Sequence, residues 1–326
     1  MRKKRVFSGI QPSGRPHIGN YLGAMHQHVQ MQNDYECIFG VVNYHALTSV
    51  HSGDELREYT MEMVVDYLAV GLDPTKCLII RQSDVPEHTE LAWLLSTVTP
   101  VAWVERCPTY KEKRLQQAAD VNFGLLAYPL LMAADILIYR AEVVPVGKDQ
   151  LPHLELTREI TRAFNRTYGN VFPEPQSLVN EETASVLGTD GVKKMSKSVG
   201  NTIEIFEEPA KLKETIMGMV TDTSRVYRTD PGHPETCNVF SFHKAFTPER
   251  LEEIREGSES AKLGCVECKE ILADTIETYF APMREKRAAL MKDLSYVQDV
   301  LESSGRTARD IAGATMGDVR RRMGLE

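Results

Sequence analysis

From Val6 to Gly169 the chain alternates short apolar runs with amphipathic stretches of helical length, and this alternation limits its fold more than any single motif. Val6 to Ile10 reads as a first strand, broken by Pro12, Ser13, Gly14 and Pro16. The stretch that follows carries Ile18, Tyr21, Leu22, Met25 and Val29 at the spacing of one helical face. Cys37 to Val42 is apolar on both faces, as buried parallel strands are. A helix follows, with Ser52 and Glu55 spaced as a capping box and Gly71 as its stop. Cys77 to Arg81 is a third strand, and a helix begins at Pro86. Another starts at Tyr128, with Pro129 in its first turn. A short strand over Glu142 to Val146 and a long helix ending at Gly169 complete the series. Strand and helix in alternation predict an α/β fold, a doubly wound parallel sheet of Rossmann type. The loops Gln11 to His17, Asn43 to Thr48 and Gly147 to Gln150 each follow a strand, at the end where such sheets bind ligands. After Ile205 every periodic segment is helical. Two domains are therefore expected, residues 1–204 and an all-helical 205–326.

A formal net charge of −8 argues against a chain that coats nucleic acid through a broad positive field. It leaves room for a local basic patch. Arg2 to Arg5 and Arg320 to Arg322 are basic runs that read either as such a patch or as solvated tails. No apolar run is long enough to cross a bilayer. The basic first residues lead into a strand rather than a secretory apolar region. Six cysteines lack the density of a secreted disulfide scaffold. A cytoplasmic protein is expected.

Neither G-x-x-x-x-G-K-[ST] nor G-x-G-x-x-G occurs, so a nucleotide would be held in another way. "PSGRPHIGN", Pro12 to Asn20, offers one: glycines that allow close approach, a helix start whose N–H groups attract phosphate, and His17 as a donor. Alone it is only a turn. "KKMSKS" begins at Lys193 and places Lys194 and Lys197 about Met195 and Ser196, with Ser198 after them. A lysine–serine loop can clamp a polyphosphate and stabilise charge on a departing pyrophosphate. Alone it is a basic linker.

The two stretches together resemble the paired signatures of the class I aminoacyl-tRNA synthetases. With "YPLLMAADILIY" and "VPVGKDQLPHLELTREI" at similar spacing, the chain resembles the tryptophanyl-tRNA synthetase family through most of residues 6–200, and more loosely beyond. The resemblance implies that tryptophan is activated by ATP, with Mg²⁺, to an adenylate and passed to tRNA(Trp). No enzyme nucleophile is needed, and catalysis is positioning and charge stabilisation. It implies catalytic roles for His17, Asn20, Lys194 and Lys197. ATP would be held by Gln11, Pro12, Ser13, Gly19, Asn20, Gly147, Lys148, Asp149, the backbone around Val186, Lys194, Met195, Ser196, Lys197 and Ser198. The family often has an acidic residue where Lys148 stands; contacts through the backbone would survive that departure. A homodimer is implied too, with the apolar segment Ala92 to Cys107 serving either as part of an interface or as core.

Tyrosyl-tRNA synthetases share both signatures, and the helix from Tyr128 separates the two readings. Tyr128, Met132 and Asp135 fall on one face. An indole offers one N–H and a large apolar body, which a carboxylate and a thioether suit. The tyrosine family tends to carry Gln in the place of Met132. The alternative for Asp135 is a buried carboxylate paired with an arginine. By resemblance, Phe7, His45, Val144, Val146 and Gln150 complete the tryptophan pocket; His45 by itself reads as a structural histidine.

Cys237, Cys265 and Cys268 combine a Cys-x-x-Cys with a distant cysteine, a metal-ligand pattern. Some members of the family bind a four-iron cluster here through a fourth cysteine, at the position occupied in this chain by Ser258. A hydroxyl is a poor replacement for thiolate. Three thiolates could hold a labile iron–sulfur cluster or zinc with an outside ligand, or the site has decayed to plain thiols, the reading slightly favoured. Any metal would be structural.

Overall fold

The computed structural model describes residues 2–107, 122–179 and 186–326. These residues form two compact units that do not follow a single cut along the chain. One comprises Met1–Gly14, His26–Glu182 and Leu290–Glu326, the other Arg15–Met25 and Thr183–Ala289.

The first unit is the parallel sheet. Its strands are β1 (Arg5–Ile10), β2 (Glu36–Val41), β3 (Cys77–Arg81), β4 (Val143–Pro145) and β5 (Gln176–Leu178), in the order β3-β2-β1-β4-β5. Every pairing is parallel, with Phe7 opposite Ile38 and Val41 opposite Arg81. The order runs one way from β1 through β3 and the other way through β4 and β5. The switch point where ligands bind in such sheets therefore lies at β1 and β4. Cys37, Ile38, Phe39 and Val41 are all buried, as a strand covered on both faces requires.

The expected helices form, with two corrections. The helix read as starting at Tyr128 begins at Phe123, because Asn122 caps it by accepting the Leu125 N–H at 3.0 Å. Pro129 therefore stands inside the helix and removes one ladder bond, not in the tolerated first turn. The last helix, Ser295–Met323, packs on the sheet unit and not with the helical segments before it. Its stripe of Ser304, Gly305, Ala308 and Ala312 is buried and small, so it lies close against β3, and the Ser304 hydroxyl accepts the Ile79 N–H at 3.3 Å. Arg320 grips Glu90 with two bonds, at 2.8 and 2.5 Å. That arginine is thus no solvated tail.

The second unit is helical, as expected after Ile205, but it also takes in the short helix Ile18–Asn20 and the π-turn Tyr21–Met25. The reason is aromatic packing. Tyr21 meets Phe280 edge-on at 5.0 Å, and its hydroxyl lies 2.8 Å from that of Tyr279. Phe246 completes the cluster. No helix among the described residues is long and apolar enough to cross a membrane.

Candidate active site

In the sheet unit two of the candidate tryptophan residues, His45 and the buried Asp135, bond directly. Asp135, 2% exposed, is held by three donors. His45 Nε2 reaches Oδ2 at 2.8 Å; Gln82 Nε2 and His88 Nδ1 reach Oδ1 at 2.7 and 2.6 Å. No arginine is among its partners. Burial pushes the carboxyl pKa up, but the hydrogen bond from His45 and the charge and hydrogen bond of His88 outweigh it and hold Asp135 at about 2. His88 in turn meets the Tyr139 hydroxyl at 2.7 Å, and Tyr139 stacks on Phe7 at 5.5 Å. Phe7 and Val144 are buried in the same core, with Met132 and Val146 packed against it. Tyr128 bonds the buried His153 through Nε2. An apolar groove of about 320 Å³ opens here, lined by Tyr44, His45, Trp93, Phe123, Ala127 and Tyr128 among others.

The unit's strand-end loops have separate geometry. The Gln11 side chain donates to the His45 carbonyl at 3.1 Å, Pro12 is buried and Ser13 exposed. Gly14 has φ +94°, a turn that a side chain would strain. After β4, Gly147 precedes a 3₁₀ turn, Lys148–Gln150, in which Gln150 donates to Asp149 at 3.1 Å. A Cβ at Gly147 would lie 2.5 Å from an Asp149 carboxylate oxygen. Lys148 and Asp149 are exposed.

In the helical unit the two signatures come together. His17 caps the Ile18–Asn20 helix: its Nδ1 accepts the Asn20 N–H at 3.2 Å while its own N–H donates to Asn20 Oδ1 at 3.1 Å. With Nδ1 accepting, the ring proton sits on Nε2 and is available to donate. Burial, then the charges of Lys197 and Lys194, lower the His17 pKa to about 4, so the ring is neutral near pH 7. Gly19 keeps this geometry open: a Cβ there would lie 3.0 Å from the His17 ring and 3.5 Å from Met195 Cβ. The backbone N–H groups of Ile18 and Asn20, expected to serve phosphate, are committed. Ile18 donates to the Ile203 carbonyl at 2.9 Å, and Asn20 to His17. Lys194 and Lys197 are the cations whose charge reaches His17.

The loop carrying those lysines is built, not slack. Met195 is buried and its N–H donates to the Val186 carbonyl at 2.9 Å. Asn201, 4% exposed, ties the ends: its Oδ1 accepts the Ser196 N–H at 2.8 Å and its Nδ2 donates to Asp190 at 2.9 Å. The Ser196 and Ser198 hydroxyls lie 3.0 Å apart. Lys194 and Lys197 remain exposed on this frame.

Cys237, Cys265 and Cys268 are half-buried free thiols. Burial, then the neighbouring Cys237 and Cys265, push Cys268 up to about 12, and its Sγ meets His243 Nε2 at 3.4 Å. Among the described residues no three His, Cys, Asp or Glu side chains are arranged to hold a metal ion.

Four residues of these networks have no signature in the sequence: Gln82, His88, His153 and Asn201. Only Gln82 had a signal, as a polar residue directly after a buried strand.

The family model "tRNA synthetases class I (W and Y)" matches residues 1–281. A tryptophan–tRNA ligase of Deinococcus radiodurans is 46% identical over 98% of each chain. One of Thermotoga maritima is 44% identical over 98% of this chain and 99% of its own. The crystal structure of tryptophanyl-tRNA synthetase from Campylobacter jejuni, complexed with ADP and tryptophan, superposes with a TM-score of 0.90 at 39% identity, covering 98% of this chain and 99% of that one.

Proposed function

Because the chain belongs to the class I tRNA synthetases of tryptophan and tyrosine, and among them to the tryptophan–tRNA ligases, we propose that the residues described above carry out tryptophan activation in the following way. A carboxylate oxygen of L-tryptophan attacks the α-phosphate of ATP. The bond to pyrophosphate breaks, and tryptophanyl-adenylate forms. The terminal adenosine hydroxyl of tRNA(Trp) then attacks the adenylate carbonyl and AMP leaves. His17 donates a hydrogen bond from Nε2–H to a phosphate oxygen and keeps its proton, and the Asn20 N–H keeps the ring in that tautomer. Lys194 and Lys197 stabilise the charge that grows on the leaving pyrophosphate. Gln11, Pro12, Ser13, Gly19, Gly147, Lys148, Asp149, the Val186 backbone, Met195, Ser196 and Ser198 hold ATP. No carboxylate cluster among the described residues is built for Mg²⁺, which would enter on the ATP phosphates.

Asp135 carries the choice of amino acid. Its Oδ2 receives one donor, His45, and has lone-pair capacity for an indole N–H. Phe7, Met132, Val144 and Val146 supply apolar wall, with Tyr128 and Gln150 at the polar end. A ring that cannot satisfy Asp135 leaves a buried acceptor short, which discriminates strongly. Residues 1–204 would perform activation and 205–326 engage the tRNA, in a cytoplasmic homodimer to which the exposed Trp93 contributes.

The observation that carries this reading is His17, neutral and capped beside two lysines on a braced loop. Tryptophan-dependent exchange of pyrophosphate into ATP tests it, with tyrosine in parallel. Exchange driven by tryptophan alone supports the reading; exchange driven equally by tyrosine overturns the role given to Asp135.

A further inference from the structure

The helical unit exposes a feature that the activation chemistry does not use. Val226 and Tyr227 are 75% and 70% exposed, two large side chains side by side on a surface loop. Arg225 precedes them and Arg228 follows. The loop is pinned at every turn. Asp230 Oδ2 accepts the N–H groups of Val226 at 3.2 Å and Tyr227 at 2.7 Å. The buried Asp222 accepts the Ser224 N–H at 2.9 Å and both the backbone and the ring of His233 at 2.8 Å. Arg225 donates to the Leu263 and Arg228 carbonyls at 3.0 and 2.8 Å, and Arg228 to the carbonyls of Ala261 and Lys262.

The partners of these two guanidinium groups are carbonyl oxygens and, for Arg225, the Cys265 sulfur at 4.0 Å, none of them a carboxylate. Nearby arginines differ: Arg250 is paired with Glu253 and Arg255 with Glu235. In a chain of net charge −8, two fixed guanidinium groups that form no ion pair among the described residues flank an exposed phenol ring, while the carboxylates of Asp222 and Asp230 are spent on N–H groups of the loop itself. Single exposed apolar residues need no explanation. A held aromatic ring between held positive charges has the chemistry of unpaired nucleotides, with a π-face for the base and a field for the phosphates.

We propose that the Ser224–Arg228 loop is a stacking platform for an unpaired base of the substrate RNA, with Tyr227 supplying the ring and Arg225 and Arg228 attracting the adjacent phosphates. The inference rests on the ligase reading above. Removing a stacking aromatic costs roughly 5- to 150-fold in binding per base.

The test uses the full chain and its Tyr227→Ala and Tyr227→Phe variants. Pyrophosphate exchange is measured beside charging of tRNA(Trp) transcripts, intact or with one unpaired base at a time made abasic. Expected is unchanged exchange in all three proteins, a KM for tRNA raised about 10- to 50-fold in Tyr227→Ala, and near-normal charging by Tyr227→Phe. One abasic position should harm the unmodified enzyme and leave Tyr227→Ala little worse. Normal charging by Tyr227→Ala would overturn the proposal, and the loop would then serve a protein partner or none. So would an abasic penalty that stays the same in Tyr227→Ala at every position. Lack of tryptophan-dependent exchange in the unmodified protein would instead bring down the ligase reading, and this inference with it.

Discussion

Asp135→Asn is nearly isosteric; it removes the charge at the centre of a buried network and turns one of its two acceptor oxygens into an N–H donor. Its cost can be worked in two ways. A carboxyl held at about 2 against its ordinary 3.8 favours the ionised form by about 2.5 kcal/mol. Three charge-assisted hydrogen bonds, from His45, Gln82 and His88, each exceed a neutral one by about 1 kcal/mol, or about 3 kcal/mol together. The two agree, so the variant should lose about 2–3 kcal/mol of stability at pH 7, read by urea denaturation. The sign of the pH dependence follows from the lowered pKa. The carboxylate's contribution is complete above 3.8, is lost as pH falls towards about 2, and the gap between variant and parent should narrow there. In exchange kinetics the tryptophan constant should rise about tenfold or more, because the indole N–H loses its charged acceptor, while the ATP constant stays close to normal. Unchanged stability would refute the network energetics. A rise confined to the ATP constant would refute the assignment of Asp135 to tryptophan.

Lys197→Ala should slow adenylate formation in single-turnover measurements by tenfold or more while equilibrium tryptophan binding stays intact, since charge on pyrophosphate develops only during reaction; equal losses in both would make the loop merely structural. Asn201→Ala should remove the brace beneath Ser196 and Asp190, costing about 1–3 kcal/mol of stability and lowering the same rate; a variant as fast as the parent would show that the lysines need no frame. His17 should titrate by NMR with a midpoint of about 4. Because that is below its ordinary 6.5, the unfolded chain takes up the proton first, and His17 subtracts stability progressively as pH falls from 6.5 to about 4. A midpoint near 6.5 would contradict the burial and lysine field assigned to it.

The sheet was legible because burial on both faces leaves a direct trace in strands such as Cys37 to Val42. β5 was not: Gln176 to Leu178 is short and only partly buried, so packing placed little demand on its composition. The Ser295–Met323 helix has a clear period, but periodicity tells which face is buried, not against what. Its return to β3 is a long-range fact carried by Ser304 and Arg320. The same holds at the site. His17 and Lys197 stood out through their motifs, whereas Gln82, His88 and Asn201 are ordinary polar residues whose roles exist only once the chain has brought Asp135 or Ser196 to them. The cysteines were legible as a spacing, but what stands beside them, such as His243 Nε2 at 3.4 Å from Cys268 Sγ, is again a long-range fact.

The central claim is that this chain forms tryptophanyl-adenylate with His17, Lys194 and Lys197 at the phosphates. Pyrophosphate exchange by the unmodified protein, run with each of tryptophan, tyrosine and phenylalanine, tests it most directly when His17→Ala is measured alongside. Exchange should require tryptophan and should fall by about 10²-fold or more in His17→Ala, the size expected for losing one preorganised donor to developing charge. Exchange that proceeds with tyrosine, or that is as fast without the His17 imidazole, would contradict it.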